Sequence, residues 1–175
     1  MNSIRKILRT VLTVNFIFLT LSLFGQTAEI DRFHLKIQEQ TDQVFDSLVN
    51  LRRDFHKHPE LAEQEKRTSK KIAAYLKALG LEVHTNIGGY GVVGILKTNK
   101  KGKHIAWRAD IDALASNHPD KENFSSDKAG VRHICGHDVH TTIALGMANV
   151  LSRIKEDLTG TVYFIFQPAE ENLKG

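Results

Sequence analysis

Residues 133–140 read His133-Ile134-Cys135-Gly136-His137-Asp138-Val139-His140, and the thirty residues after them decide the fold. Ile143, Ala144, Met147, Val150, Leu151 and Ile154 recur at three- and four-residue steps, which predicts a helix beginning just after the cluster. Gly160 then opens Thr161-Val162-Tyr163-Phe164-Ile165-Phe166, whose β-branched and aromatic residues predict a strand buried on both faces. The strand runs out at Gln167-Pro168-Ala169-Glu170-Glu171. Ligands of open α/β sheets bind beyond the carboxyl ends of strands, so these two acids stand where chemistry is expected.

The cluster itself gathers three of the nine histidines and the single cysteine. Thiolate and neutral imidazole are donors that a borderline-soft divalent ion such as zinc accepts, and a nearby carboxylate can ligate or orient a neighbour. Cys135 and His137 are therefore the first candidate metal ligands. Gly136 between them lets the backbone turn and aim both side chains at one point. At a helix N-terminus the dipole lowers the pKa of a nearby thiol and disfavours imidazolium, which predicts that both groups tend toward their metal-binding states.

Upstream, Phe33, Ile37, Val44, Phe45, Leu48, Leu51 and Phe55 keep mostly helical spacing from Asp31 to His56, and Pro59 ends the run. A second helix is predicted from Glu65 to Leu79, with Gly80 in the stop position. Strands are predicted at Leu81 to Thr85, Val92 to Lys97 and His104 to Arg108. Asn99-Lys100-Lys101-Gly102 reads as a hairpin turn joining the last two. Arg108-Ala109-Asp110-Ile111-Asp112 puts two acids at alternate positions on one side of a strand end. Residues 113–132 show no periodicity and read as a long loop delivering the chain to Cys135. Helices and strands in this order predict a layered α/β domain.

The first residues differ from the rest. Arg5, Lys6 and Arg9 precede the apolar run from Val11 to Phe24, the layout of a secretory signal peptide. That run is shorter than the about 20 residues a membrane-spanning helix needs. The expected domains are thus a signal peptide at 1–25 and a catalytic portion at 26–175, exported to the periplasm or the extracellular space without stable membrane association. Without residues 1–25, Lys+Arg falls from 24 to 21 against 20 Asp+Glu, a net charge of +1. No basic footprint for nucleic acid remains. An exported chain with one cysteine has no internal disulfide, which leaves the thiol free for a metal.

Four segments together resemble the dinuclear-metal amidohydrolases related to aminoacylases and carboxypeptidases, in the branch of auxin-conjugate hydrolases and hippurate hydrolase. They are Arg53-Asp54-Phe55-His56-Lys57-His58-Pro59-Glu60-Leu61, Arg108-Ala109-Asp110-Ile111-Asp112-Ala113-Leu114, the 133–140 cluster and Phe166-Gln167-Pro168-Ala169-Glu170-Glu171. The resemblance implies an α/β/α catalytic domain of the di-metal exopeptidase type, here its N-terminal part with an incomplete sheet. It implies two divalent ions, zinc or manganese, held by Cys135, His137 and Glu171, with Glu170 as general base. Asp112, Asp138 and His140 are implied as orienting or substrate-side residues. The implied reaction cleaves N-acyl amino acids or related peptide-like amides to a carboxylic acid and an amino acid. Further histidine ligands and a lid or dimerisation domain are implied downstream, so an isolated 175-residue piece is expected to be inactive, and a homodimer stays open for the full-length parent. The sequence departs from the pattern at Ala115-Ser116-Asn117, where members continue with Pro-Ile and a glutamate.

Two other readings stay open on the residues alone. One is a non-catalytic, exported metal- or peptide-binding module on the same scaffold. The other makes Cys135 a hydrolase nucleophile, although a nucleophile's base normally arrives from elsewhere in the fold rather than from two positions away.

Overall fold

A computed structural model describes residues 30, 32–120 and 122–175. The expected signal peptide lies outside the described residues. The chain divides into two compact units, Met1–Glu39 and Gln40–Gly175. In the first, residues 32–39 are helical. Among the described residues no helix is long and apolar enough to cross a membrane.

The second unit opens with helix α1 (40–57), then α2 (Lys66–Ala78), β1 (Glu82–Ile87), β2 (Gly91–Lys97), β3 (His104–Asp110), β4 (Leu114–Ala115), β5 (Val131–Arg132), α3 (His137–Arg153) and β6 (Thr161–Gln167). Helix α2 is started by a residue that precedes it: the Glu60 carboxylate accepts the N–H groups of Arg67 at 3.0 Å and Thr68 at 2.8 Å. These are two of the amides a helix N-terminus leaves without internal partners. Its end is the predicted Gly80, at φ +79°, where Gly80 and Leu81 donate their N–H groups back to Lys77 and Leu76.

The main sheet has the order β1-β2-β6-β3. This corrects the expected hairpin between β2 and β3. Strand β6 inserts between them, antiparallel to β2 and parallel to β3, and 98–103 is a crossing connection. The hairpin is instead β1–β2, turned through Gly88 and Gly89, both at positive φ. Leu114–Ala115 and Val131–Arg132 also pair, closing the base of the long loop as a small second sheet. Two-residue strands are too short to show a period.

Val92 and Leu96 of β2, Val162, Phe164 and Phe166 of β6, and Ala109 of β3 fill one core with Phe55 of α1, Ile72 and Leu76 of α2, and Leu145 and Ala148 of α3. Cross-strand partners such as Val92 and Phe166, or Ala109 and Phe166, share one face. Helices α1, α2 and α3 therefore cover a single face. Strand β6 is not buried on both sides as predicted: Ile165, on the opposite face, is 36% exposed. Phe164 is fully enclosed, and its truncation to alanine carries the cost of about 3–5 kcal/mol typical of a buried aromatic.

Candidate metal centre

The parallel pair β3 and β6 ends in register, Asp110 opposite Gln167, and Ile111 donates its N–H to the Gln167 carbonyl at 3.0 Å. Both strand ends thus release their next residues side by side. Helix α3 brings its N-terminus to the same edge, tied there by the Thr141 hydroxyl, which donates to the Asp110 carbonyl at 3.0 Å. Gly136, the residue before α3, stands at φ +79° in the left-handed region, and a Cβ there would meet nothing. Its requirement is conformational rather than steric.

His137 is the centre of the arrangement. Its Nδ1–H donates to the Asp112 carbonyl at 3.0 Å and lies 3.3 Å from the Asp112 carboxylate. This fixes the tautomer and leaves Nε2 as the free donor atom. Around Nε2 stand Glu170 and Glu171, each at 3.8 Å, and Asp110 at 3.9 Å. These separations are too long for hydrogen bonds. His137, Glu170 and Glu171 nevertheless offer ligand atoms all within 4.8 Å of one another, a span that metal–ligand bonds of about 2 Å bridge. Asp110, His137 and His140 form a second such group, with His140 Nδ1 3.6 Å from Asp110 and its ring stacked on His137.

The two glutamates converge on one nitrogen, although adjacent residues on an extended chain would face different ways. A left-handed Ala169, φ +52°, leading into the 3-10 turn Glu170–Asn172 brings both to the same side. The Glu171 N–H donates to Asp112 Oδ2 at 2.9 Å, so Asp112 holds His137 by its main-chain carbonyl and Glu171 by its carboxylate. Glu171 is the more enclosed, 16% exposed at the side chain against 36% for Glu170.

Cys135 is exposed. Interaction with the Glu171 carboxylate, burial and the charges of Glu171, Glu170 and Asp112 push the thiol pKa up. For His137, burial works downward, but Asp112 and Asp110 carry the imidazole above its ordinary value. Both directions are opposite to the sequence expectation. The helix dipole amounts to about half a charge at the N-terminus, and several full carboxylate charges outweigh it. The same excess of negative charge is what a divalent cation neutralises, and a cation reverses both shifts. The imidazole and carboxylates grouped around His137 therefore fit the implied ions, while Cys135 stands in neither group.

Asp138, expected to orient ligands or touch substrate, pairs with α1. Its buried carboxylate lies 2.8 Å from both His56 Nδ1 and Arg52 Nε on α1, and His56 Nε2 meets Asp120 of the long loop at 3.2 Å. Phe124 of that loop lies under the Arg52 and Arg53 guanidiniums and edge-on to His56. His133 lines a cavity of about 80 Å³ with His56, His118, Asp120 and Arg132. Burial lowers its pKa to about 4.

Several functional contacts escape any local reading. The Glu60 carbonyl accepts the Ala113 N–H at 2.8 Å, so the Pro59-Glu60-Leu61 segment holds the loop that carries Asp112. Glu65 Oε1 accepts the Ala169 N–H at 2.7 Å. Neither contact has a spacing signature, because the partners are far apart in sequence.

Residues 106–175 match the model of Peptidase family M20/M25/M40. The chain is 43% identical over 136 residues to N-acetylcysteine deacetylase of Bacillus subtilis, covering 77% of this chain and 36% of that protein. It is 40% identical to IAA-amino acid hydrolase ILR1-like 2 of Arabidopsis thaliana, covering 78% of this chain and 31% of that protein. Among solved structures it is similar to a dinuclear metal binding peptidase of the M20 family from Bacillus subtilis. The TM-score is 0.70 at 43% identity, over 74% of this chain and 37% of that one. The chain spans about a third of the length of the curated relatives it matches. With the motifs, the strand-end acids and the fold in agreement, residues 106–175 are part of a Peptidase family M20/M25/M40 domain.

Proposed function

We propose that the protein carrying this chain is a metal-dependent amidohydrolase acting on N-acyl amino acids or related amide conjugates. One observation carries the reading: Glu170 and Glu171 meet the free Nε2 of His137 at 3.8 Å while Asp112 holds the opposite nitrogen. Names among the relatives, a deacetylase of N-acetylcysteine and a hydrolase of amino acid conjugates, support the substrate class.

In this reading Cys135, His137 and Glu171 hold two divalent ions, zinc or manganese. When bound, the ions supply Lewis acidity to the amide carbonyl and make water a better nucleophile at neutral pH. Asp112 presents His137 and Glu171 together, so both donors are fixed before the ions arrive. Glu170, the more exposed carboxylate, takes a proton from the attacking water and returns it to the departing amine. The products are a carboxylic acid and an amino acid. The basic-then-apolar residues 1–24 support export of this protein. The 175-residue polypeptide by itself supplies part of the implied ligand set, and we expect no turnover from it alone.

Release of amine from a panel of N-acetyl and N-benzoyl amino acids by the full-length protein tests the proposal. Chelator-sensitive turnover, restored by zinc or manganese, supports it. Stoichiometric metal with no turnover of any compound points to the non-catalytic module, and loss on thiol alkylation that a chelator does not mimic points to Cys135 as nucleophile.

A further inference from the structure

Glu65 stands immediately before α2 and is fully buried. Its partner lies 104 residues downstream: Oε1 accepts the Ala169 N–H at 2.7 Å. Ala169 is left-handed, φ +52°, a conformation that is unfavourable for a non-glycine residue and persists only where the surroundings fix it. The next two residues are Glu170 and Glu171. Keeping a carboxyl in this place is itself unfavourable, since burial and the charge of Asp112 push its pKa up. An apolar residue of the same size would avoid that penalty but leave the Ala169 amide buried without an acceptor.

We propose that Glu65 is a positioning residue: by holding Ala169 in its left-handed turn it sets the direction in which Glu170 and Glu171 face His137. The inference rests on the roles of Glu170 and Glu171 given above. It assigns Glu65 no contact with substrate. What Glu65 controls is the backbone from which the two carboxylates project, and a misplacement of about 1 Å at reacting groups costs on the order of 10²-fold in rate.

Two variants of the full-length protein separate the acceptor from the charge. Glu65→Gln keeps an oxygen for the Ala169 amide, and Glu65→Met keeps the length without it. In the metal-free protein, Ala169 amide exchange is expected to match wild type in Glu65→Gln and to accelerate by about tenfold or more in Glu65→Met. On N-acetyl and N-benzoyl amino acids, kcat is expected to fall about 10²-fold at unchanged KM in Glu65→Met, with Glu65→Gln within about threefold of wild type. Should Glu65→Met not fold, Glu65→Asp, one methylene short of Ala169, gives the same reading. Unchanged Ala169 exchange in the variant lacking the acceptor overturns the proposal, as does unchanged kcat. Equal loss in Glu65→Gln and Glu65→Met also overturns it, because that marks a need for charge. If wild type turns over none of these compounds, the proposed function fails, while the exchange measurement still decides whether Glu65 holds Ala169.

Discussion

Asp112 and His137 meet twice: the His137 Nδ1–H donates to the Asp112 carbonyl at 3.0 Å and faces its carboxylate at 3.3 Å. The other carboxylate oxygen takes the Glu171 N–H at 2.9 Å. One buried acid therefore orients two candidate ligands that are 34 residues apart in sequence, His137 and Glu171. Burial works to raise the Asp112 pKa, yet its hydrogen bonds with His137 and Glu171 hold it below the usual carboxylate range.

Asp112→Ala keeps the main-chain carbonyl that takes the His137 Nδ1–H but removes the carboxylate that faces this nitrogen and accepts the Glu171 N–H. It is expected to lower zinc or manganese affinity by about tenfold, the lower end of the range for losing a group that orients metal ligands. Isothermal titration of metal into the two proteins checks this. Metal affinity should also fall as the pH is lowered. A divalent ion binds the neutral imidazole, and the raised pKa of His137 means that protons compete from above its ordinary value of 6.5.

The Asp138 carboxylate joins α3 to α1 through Arg52 and His56, and His56 reaches on to Asp120 of the long loop. Removing a buried carboxylate leaves its cationic partner uncompensated. Asp138→Ala is expected to cost about 3 kcal/mol or more, read as a lower urea midpoint at unchanged slope. His56→Ala should loosen the 116–130 loop, seen as faster amide exchange there, with a smaller loss of global stability.

Asp54 binds α1 to α2 through Arg67 at 2.9 Å and Lys71 at 2.6 Å. Burial pushes its pKa up, but hydrogen bonds and charge from Lys71 and Arg67 hold it below the ordinary 3.8. Because the folded pKa is depressed, the contribution is fully present above the unfolded value and is lost as pH falls through the folded one. Asp54→Asn should therefore destabilise by about 1 kcal/mol at pH 7 and by progressively less below pH 4, in parallel denaturant titrations.

Much of this was legible because it is local. The helix after the cluster shows in the spacing of Ile143 to Ile154, the end of α2 in Gly80, and the turn between Cys135 and His137 in Gly136. The acids just beyond the strands read at His104 to Arg108 and Thr161 to Phe166 were visible too, though not that these two strands lie parallel and side by side. What was not legible is long-range. The turn residues at 99–102 cannot announce that a strand some sixty positions later inserts beside β2, so a hairpin was the local expectation. Burial of β6 on both faces failed for a related reason: composition reports how apolar a strand is, and the covering of a face depends on what packs there. The shift of Cys135 went against the helix dipole because Glu170 and Glu171 arrive from another part of the chain. Glu65 read as an ordinary helix-start acid, and only the three-dimensional partner Ala169 gives it a further role.

The central claim divides the labour between two adjacent residues, and comparing Glu170→Gln with Glu171→Gln in the full-length protein tests it most directly, with bound metal and kcat measured on each. The account predicts that Glu170→Gln keeps wild-type metal stoichiometry while kcat falls by about 10²–10⁴-fold, the range for loss of a general base, and that Glu171→Gln loses metal along with activity. Wild-type kcat in Glu170→Gln, or full metal content in Glu171→Gln, would contradict it.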